Sequence, residues 1–193
     1  DELLGCHALR EQLTAFMASK GAQGVAPEQL IVTTGSQQAL DLLGKTMIGP
    51  GDKVIVEGPT FLATIQCFRL YGAEVISAPI DGDGVQVDAL EKLIAEHRPK
   101  LVYLIPTFGN PSGATLSLER RKKVLELAVK YQTLLVEDDP YGDLYFGEAP
   151  PPSLLALSHA LPGSRDWLAH CASLTKVLSP GLRVGWPLAP PQL

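Results

Sequence analysis

The strongest constraint on the fold of this chain is a series of short apolar runs, rich in β-branched residues, with helical stretches between them. They are QLIVTT (29–34), VIVE (54–57), EVISAP (74–79), LVYLIP (101–106), TLLVEDD (133–139), WLAHCAS (167–173) and RVGWPLA (183–189). Most lack the polar–apolar alternation of a strand with one wet face, so both faces are expected to be covered. Strands of that kind, joined through helices, form a mainly parallel sheet with helices on two sides. The expectation is an α/β fold, a three-layer αβα sandwich around a mainly parallel seven-stranded sheet. Ligands of such sheets bind at the carboxyl ends of the strands.

Helical periodicity fills the intervals. Leu9, Leu13, Phe16 and Met17 share a face, and Gly21 marks a stop. Further helices are expected over 36–47 and 61–71, over the stretch with Leu90, Leu93, Ile94 and His97, and after Ser117. Asp88 and Glu91 have the spacing of a capping box. The run DGDG (81–84) reads as a tight turn, because a calcium loop starting at Asp81 would need glutamate where Lys92 stands. EAPPPS (148–153) reads as a loop.

The length of 193 residues suits one large domain, and 46% hydrophobic residues argue against disorder. With 6% aromatics and a net charge of -5, the chain has little stacking surface and no global pull towards nucleic acid or anionic membranes. Cys6, Cys67 and Cys171 are odd in number and far apart, which suits a reducing compartment and small core side chains. The four histidines lack metal-ligand spacing, and no metal site is expected. No apolar run is long enough to span a bilayer, and the charged start reads as a helix. A cytoplasmic location is expected.

Four strand-end segments carry candidate chemistry. In Thr34-Gly35-Ser36-Gln37 a strand turns into a helix, where backbone N–H groups and a hydroxyl can hold an anion or Ser36 can simply cap the helix. No P-loop or dinucleotide fingerprint accompanies it. GNPSG (109–113) is a turn able to aim the Asn110 amide into a cleft. Glu137-Asp138-Asp139 sets three acids in a row at an apolar strand's end, where they are either solvated or paired with a cationic group. Lys176 follows the strand ending at Ser173, and Arg183 lies close behind. A lysine there is either an ordinary surface group or semi-buried, and burial would lower its pKa and free the amine to attack a carbonyl.

In this order, TTGSQQALDLL, VEGPTF, PTFGNPSGATLSLERR, VEDDPYGDLYF and SLTKVLSPGLRVGW resemble the pyridoxal-phosphate-dependent aminotransferases of fold type I, class I/II. The similarity runs from about Gln29 to Pro187 and is to the bacterial 2-aminoadipate and aromatic type in particular. It implies a transaminase that binds pyridoxal 5'-phosphate and acts on amino acids and 2-oxo acids. Lys176 matches the Schiff-base lysine, which also shuttles a proton. Asp138 matches the acid that faces the pyridine nitrogen. Tyr141 and Asn110 match the groups that hydrogen-bond the ring's phenolic oxygen, and Phe61 the aromatic stacked on the ring. Ser36, Gln37, Ser173 and Arg183 match the phosphate-holding groups.

Members of that family are longer. The resemblance therefore assigns residues 1–193 to the large cofactor domain, without the amino-terminal arm and the carboxy-terminal small domain. It implies a homodimer in the full-length parent. Two alternatives share much of the pattern. One is the aminotransferase-like domain of a helix-turn-helix transcription regulator, with nucleic acid as partner only if such a segment lies upstream. The other is a pyridoxal-phosphate enzyme of different outcome, such as a β-eliminating lyase. Asn110 and Pro140-Tyr141 favour the transaminase.

Overall fold

The structure is a computed structural model that describes residues 2–190 and 192–193. Its strands are β1 (Lys53–Gly58), β2 (Glu74–Asp81), β3 (Gly84–Val85), β4 (Leu101–Leu104), β5 (Leu134–Asp139), β6 (Leu168–Ser173) and β7 (Gly185–Leu188). They form one seven-stranded sheet in the order β3-β2-β1-β4-β5-β6-β7. The five central strands run parallel, and β3 and β7 close the two edges antiparallel.

Helices α1 (His7–Ser19), α2 (Ser36–Met47), α3 (Leu62–Leu70), α4 (Val87–His97), α5 (Leu118–Tyr131) and α6 (Leu154–Ser158) cover both faces. Successive strand residues point to opposite sides, so each buried strand feeds two cores. Val136, Tyr103, Ala169 and Cys171 pack with Leu40 and Leu43 of α2 and Phe68 of α3. Leu135, Leu104, Leu168 and Trp186 pack with side chains of α1, α4, α5 and α6. The expected three-layer sandwich is therefore present.

Several local expectations fail. The run 29–34 is not a strand of the sheet. A short 3-10 turn at Pro27–Gln29 bends it, and it meets β7 only through bridges at Leu30 and Thr33. The seventh strand is instead β3, on the residues read as the end of a turn. The Asp81 carboxylate accepts the Asp83 N–H, which folds the hairpin back. Asp88 and Glu91 form no capping box, because Gln86 is the cap and Glu91 instead accepts from Lys130 Nζ (2.7 Å) and Tyr131 Oη (3.0 Å). The strand over 183–189 begins only at Gly185, since Arg183 takes a left-handed φ of 51°. Pro187, which has no N–H, sits on this strand between the two isolated bridges that Gly185 and Leu188 make with Thr33 and Leu30. Cys171 is buried as expected, whereas Cys6 is exposed. Among the described residues no helix is long and apolar enough to cross a membrane.

Candidate active site

The parallel strands end together, and that edge gathers the segments singled out in the sequence. β5 carries Glu137, Asp138 and Asp139. The alternation of a strand sends Asp138 to the α2/α3 face and its two neighbours to the other. All three lie in the strand, and Glu137 and Asp138 are buried, so the picture of solvated loop acids fails.

Asp138 is held from one side only. Tyr103 Oη donates to its Oδ2 at 2.7 Å, while Oδ1 is buried with no hydrogen-bond partner among the described residues. Burial raises its pKa to about 6, opposed by the Tyr103 hydrogen bond and assisted by the Asp139 charge. A buried acceptor left open is costly, and it marks the place where a donor from a bound group fits.

Around it lie groups suited to an anion. At the start of α2, Gly35 precedes Ser36 with φ 87°. The first N–H groups of a helix have no partner inside it. Gln38 reaches back to cap Thr34, its Oε1 accepting from Thr34 N (2.7 Å) and Oγ1 (2.8 Å). Ser36 therefore does not act as the cap, and among the described residues no hydrogen bond occupies its hydroxyl. Arg183 Nη2 donates to Thr34 O at 3.0 Å, which brings the exposed guanidinium against this turn. The approach is tight: a Cβ on Gly35 would stand 2.8 Å from Arg183 Nη2, and one on Gly185 would stand 2.6 Å from Ser36 N. Gln37 occupies the same first turn.

Ser173 ends β6 on the Asp138 face. Its hydroxyl donates to Val184 O (3.1 Å) and accepts from Thr175 N (3.1 Å). Lys176 lies on the turn that follows, where Leu178 N and Ser179 N both return to Leu174 O. Its Nζ stands 5.9 Å from the centre of the Tyr141 ring. Of the surface and semi-buried readings, the surface one is found. The turn carries Lys176 off the sheet, and its side chain is exposed. Phe61 is the cap residue of α3, 36% exposed, so one face is available for stacking. Asn110 lies in a loop closed by Gly109 N to Ala114 O and Leu116 N to Pro106 O.

The opposite face of β5 is built differently. Glu137 accepts from Leu154 N (2.6 Å) and Leu155 N (3.1 Å) at the start of α6, and pairs with His170 Nδ1 at 2.7 Å. Burial acts to raise its pKa, but the His170 charge and hydrogen bond, with the Leu154 N–H and Arg121, outweigh it, and the net shift is downward. Arg121 is fully buried and donates to Leu116 O, Pro106 O, Pro152 O and Thr107 Oγ1. It ties both ends of the Asn110 loop to the proline loop before α6. Glu57, buried and with a pKa raised to about 7 by desolvation, accepts Ile105 N at 2.8 Å and anchors the same loop.

These supporting residues were missed from sequence. Arg121 sits three before Val124 and seven before Ala128, on the buried helical face, and that spacing was the available signal. Tyr103 and His170 carried none beyond strand membership. A cavity of about 190 Å³ opens on the Glu137 face, lined in part by Phe16, Asp139, His170 and Trp186. Of the expected site residues, only Ser173 borders it.

The family model for aminotransferase class I and II matches residues 3–193. The 2-aminoadipate transaminase of Thermus thermophilus is 44% identical over 171 residues, covering 88% of this chain and 42% of that protein. The crystal structure of LysN, the alpha-aminoadipate aminotransferase of Thermus thermophilus, complexed with N-(5'-phosphopyridoxyl)-L-leucine, superposes with a TM-score of 0.91 at 40% identity. It is matched over 100% of this chain and 47% of its own. An uncharacterized HTH-type transcriptional regulator of Bacillus subtilis is 32% identical over 96% of this chain and 37% of its own length. The chain thus spans less than half the length of these relatives.

Proposed function

The chain belongs to the aminotransferase class I and II family, and on that premise we propose that it is the large cofactor-binding domain of a pyridoxal-phosphate-dependent transaminase. The full-length protein transfers an amino group from an amino acid to a 2-oxo acid, acts as a homodimer and works in the cytoplasm. The observation that carries this reading is Asp138, buried at a strand's carboxyl end with one oxygen held and the other open.

The residues present fit the cofactor. Its phosphate suits the N–H groups at Ser36 and Gln37, the Ser36 hydroxyl and the Arg183 guanidinium, with Ser173 at the end of β6 three positions before Lys176. A protonated pyridine nitrogen suits the open oxygen of Asp138. When bound, pyridoxal 5'-phosphate supplies an electron sink for charge developing at the substrate's α-carbon. Asp138 favours that charge flow by staying ionised against the ring nitrogen. Lys176 would hold the cofactor through its Nζ amine and, when that amine is free, would hold and return the α-proton there. Tyr141 and Asn110 orient the ring's phenolic oxygen, and Phe61 covers a ring face.

Borohydride reduction of the full-length protein followed by intact-mass measurement tests the assignment. One cofactor added per chain is expected, with none in Lys176→Ala. An undiminished adduct in that variant removes Lys176 from its role. The likeness to helix-turn-helix regulators supports a second reading, in which the same domain binds the cofactor but only senses it. A full-length protein that takes up cofactor and shows no half-reaction with any amino donor favours that reading.

A further inference from the structure

We infer that Tyr103 is the positioning residue of the site: its hydroxyl selects which oxygen of Asp138 is presented to the cofactor, and Thr64 fixes the hydroxyl. This rests on the transaminase reading above. The relay crosses three elements. Thr64, fully buried in the first turn of α3, donates through Oγ1 to Tyr103 Oη at 3.3 Å. Tyr103, fully buried on β4, donates to Asp138 Oδ2 on β5 at 2.7 Å.

A phenol has one proton. With its oxygen already accepting from Thr64, the Tyr103 proton is directed onto Asp138, which leaves Oδ1 as the open acceptor. Phe68 of α3 meets the Tyr103 ring edge-on at 6.0 Å and 83°, fixing the ring plane. Burial and the Asp138 charge push the phenol's ionisation well upward, so it remains a donor. Phe61 caps the same α3 that bears Thr64. One helix therefore sets both the stacking ring and, through Tyr103, the acid at the ring nitrogen.

The groups around Asp138 on its own face are Tyr103, Thr64 and the buried Cys171. Glu137, His170 and Asp139 act on it electrostatically from the other face. Removing the Tyr103 hydroxyl takes away the donor that lowers the carboxylate's pKa, so its titration midpoint rises further.

The test uses the full-length protein freed of cofactor. Tyr103→Phe keeps the ring packing and loses only the hydroxyl. Affinity is measured for pyridoxal 5'-phosphate and for an analogue with C–H in place of the ring nitrogen, from about pH 6 to about pH 9. The variant should bind pyridoxal 5'-phosphate roughly tenfold more weakly near neutral pH. The defect should shrink as the pH rises past the carboxyl's new midpoint, and the C–H analogue should bind as before. Equal losses for both ligands, or no loss for either, overturn the inference and leave the transaminase reading standing. Thr64→Val should show a smaller loss with the same ligand selectivity, and it decides the matter if Tyr103→Phe does not fold. If the unaltered protein binds no pyridoxal 5'-phosphate, the functional reading itself falls and takes the inference with it.

Discussion

Glu137 and Asp138 are adjacent in one strand, both buried, and opposite in character. Glu137 accepts two N–H groups at the start of α6 and faces His170 at 2.7 Å. Asp138 has one donor and one open oxygen. The first has a pKa below the ordinary carboxylate value and the second has one raised to about 6. Two arginines repeat the contrast. Arg121 spends its donors on loop carbonyls and the Thr107 hydroxyl in the core, while Arg183 is exposed and is bonded to one carbonyl at the start of α2. A charged group whose hydrogen bonds are filled from within builds the scaffold, and one left open is available to a ligand.

The largest expected effect comes from breaking the filled acid. Glu137→Ala leaves His170 and two helix N–H groups unpaired in the core, and removal of one partner of a buried pair costs about 3–5 kcal/mol. Denaturant unfolding measures it. The pH dependence has a definite sign. Glu137's lowered pKa gives stability that is present above the ordinary carboxylate range and lost as pH falls through its folded value. His170's raised pKa gives stability that is present below 6.5 and lost as pH rises through its folded value. Both slopes should flatten in the variant.

Asp138→Asn should do the reverse, sparing the fold and damaging the reaction. In the full-length protein, half-transamination followed by stopped flow should slow about 10²-fold or more, the cost of removing one preorganised electrostatic group. Stability of the cofactor-free protein should be retained or increased. With its pKa raised from 3.8 to about 6, Asp138 stabilises the fold only when protonated, below 3.8, and that contribution is lost as pH rises through about 6. The cost at neutral pH is at most about 3 kcal/mol. The advantage of the variant should therefore vanish in acid, and an Asp138→Asn protein that is plainly less stable at neutral pH would break the comparison.

Arg183→Ala should weaken cofactor binding by roughly tenfold or more, as one charge-assisted contact is worth about 1.5–3 kcal/mol. Its thermal midpoint without cofactor should stay near that of the parent. An unchanged dissociation constant in a cofactor titration would remove Arg183 from the phosphate group. Asp139→Asn should have the smallest effect. The Asp139 Oδ1 accepts Gly142 N at 3.1 Å, and an asparagine oxygen can do the same. Rates for this variant close to those of the parent would sharpen the register; a greater loss than in Asp138→Asn would refute it.

Much of this contrast was legible before any coordinates. The family resemblance singled out Asp138 among three consecutive acids, and the strand's alternation sets it on a different face from Glu137 and Asp139. The Gly35-Ser36 turn, Lys176 and Arg183 could be found because turns and strand ends leave local marks. Tyr103 and His170 could not, since a tyrosine or histidine inside an apolar strand reads only as buried.

The sequence by itself determined the layers of this protein: apolar runs covered on both faces, helical periodicity between them and turn residues at their ends are local properties. Only the tertiary fold decided the sheet's two edges: hairpin pairing with β2 makes Gly84–Val85 a strand at one, and 29–34 meets β7 at the other through bridges at Leu30 and Thr33. It alone decided which charges are satisfied. Tyr103 meets Asp138 across 35 positions and His170 meets Glu137 across 33. Pairings at that separation depend on which strands become neighbours, and neighbour order is a property of the closed sheet rather than of any segment in it.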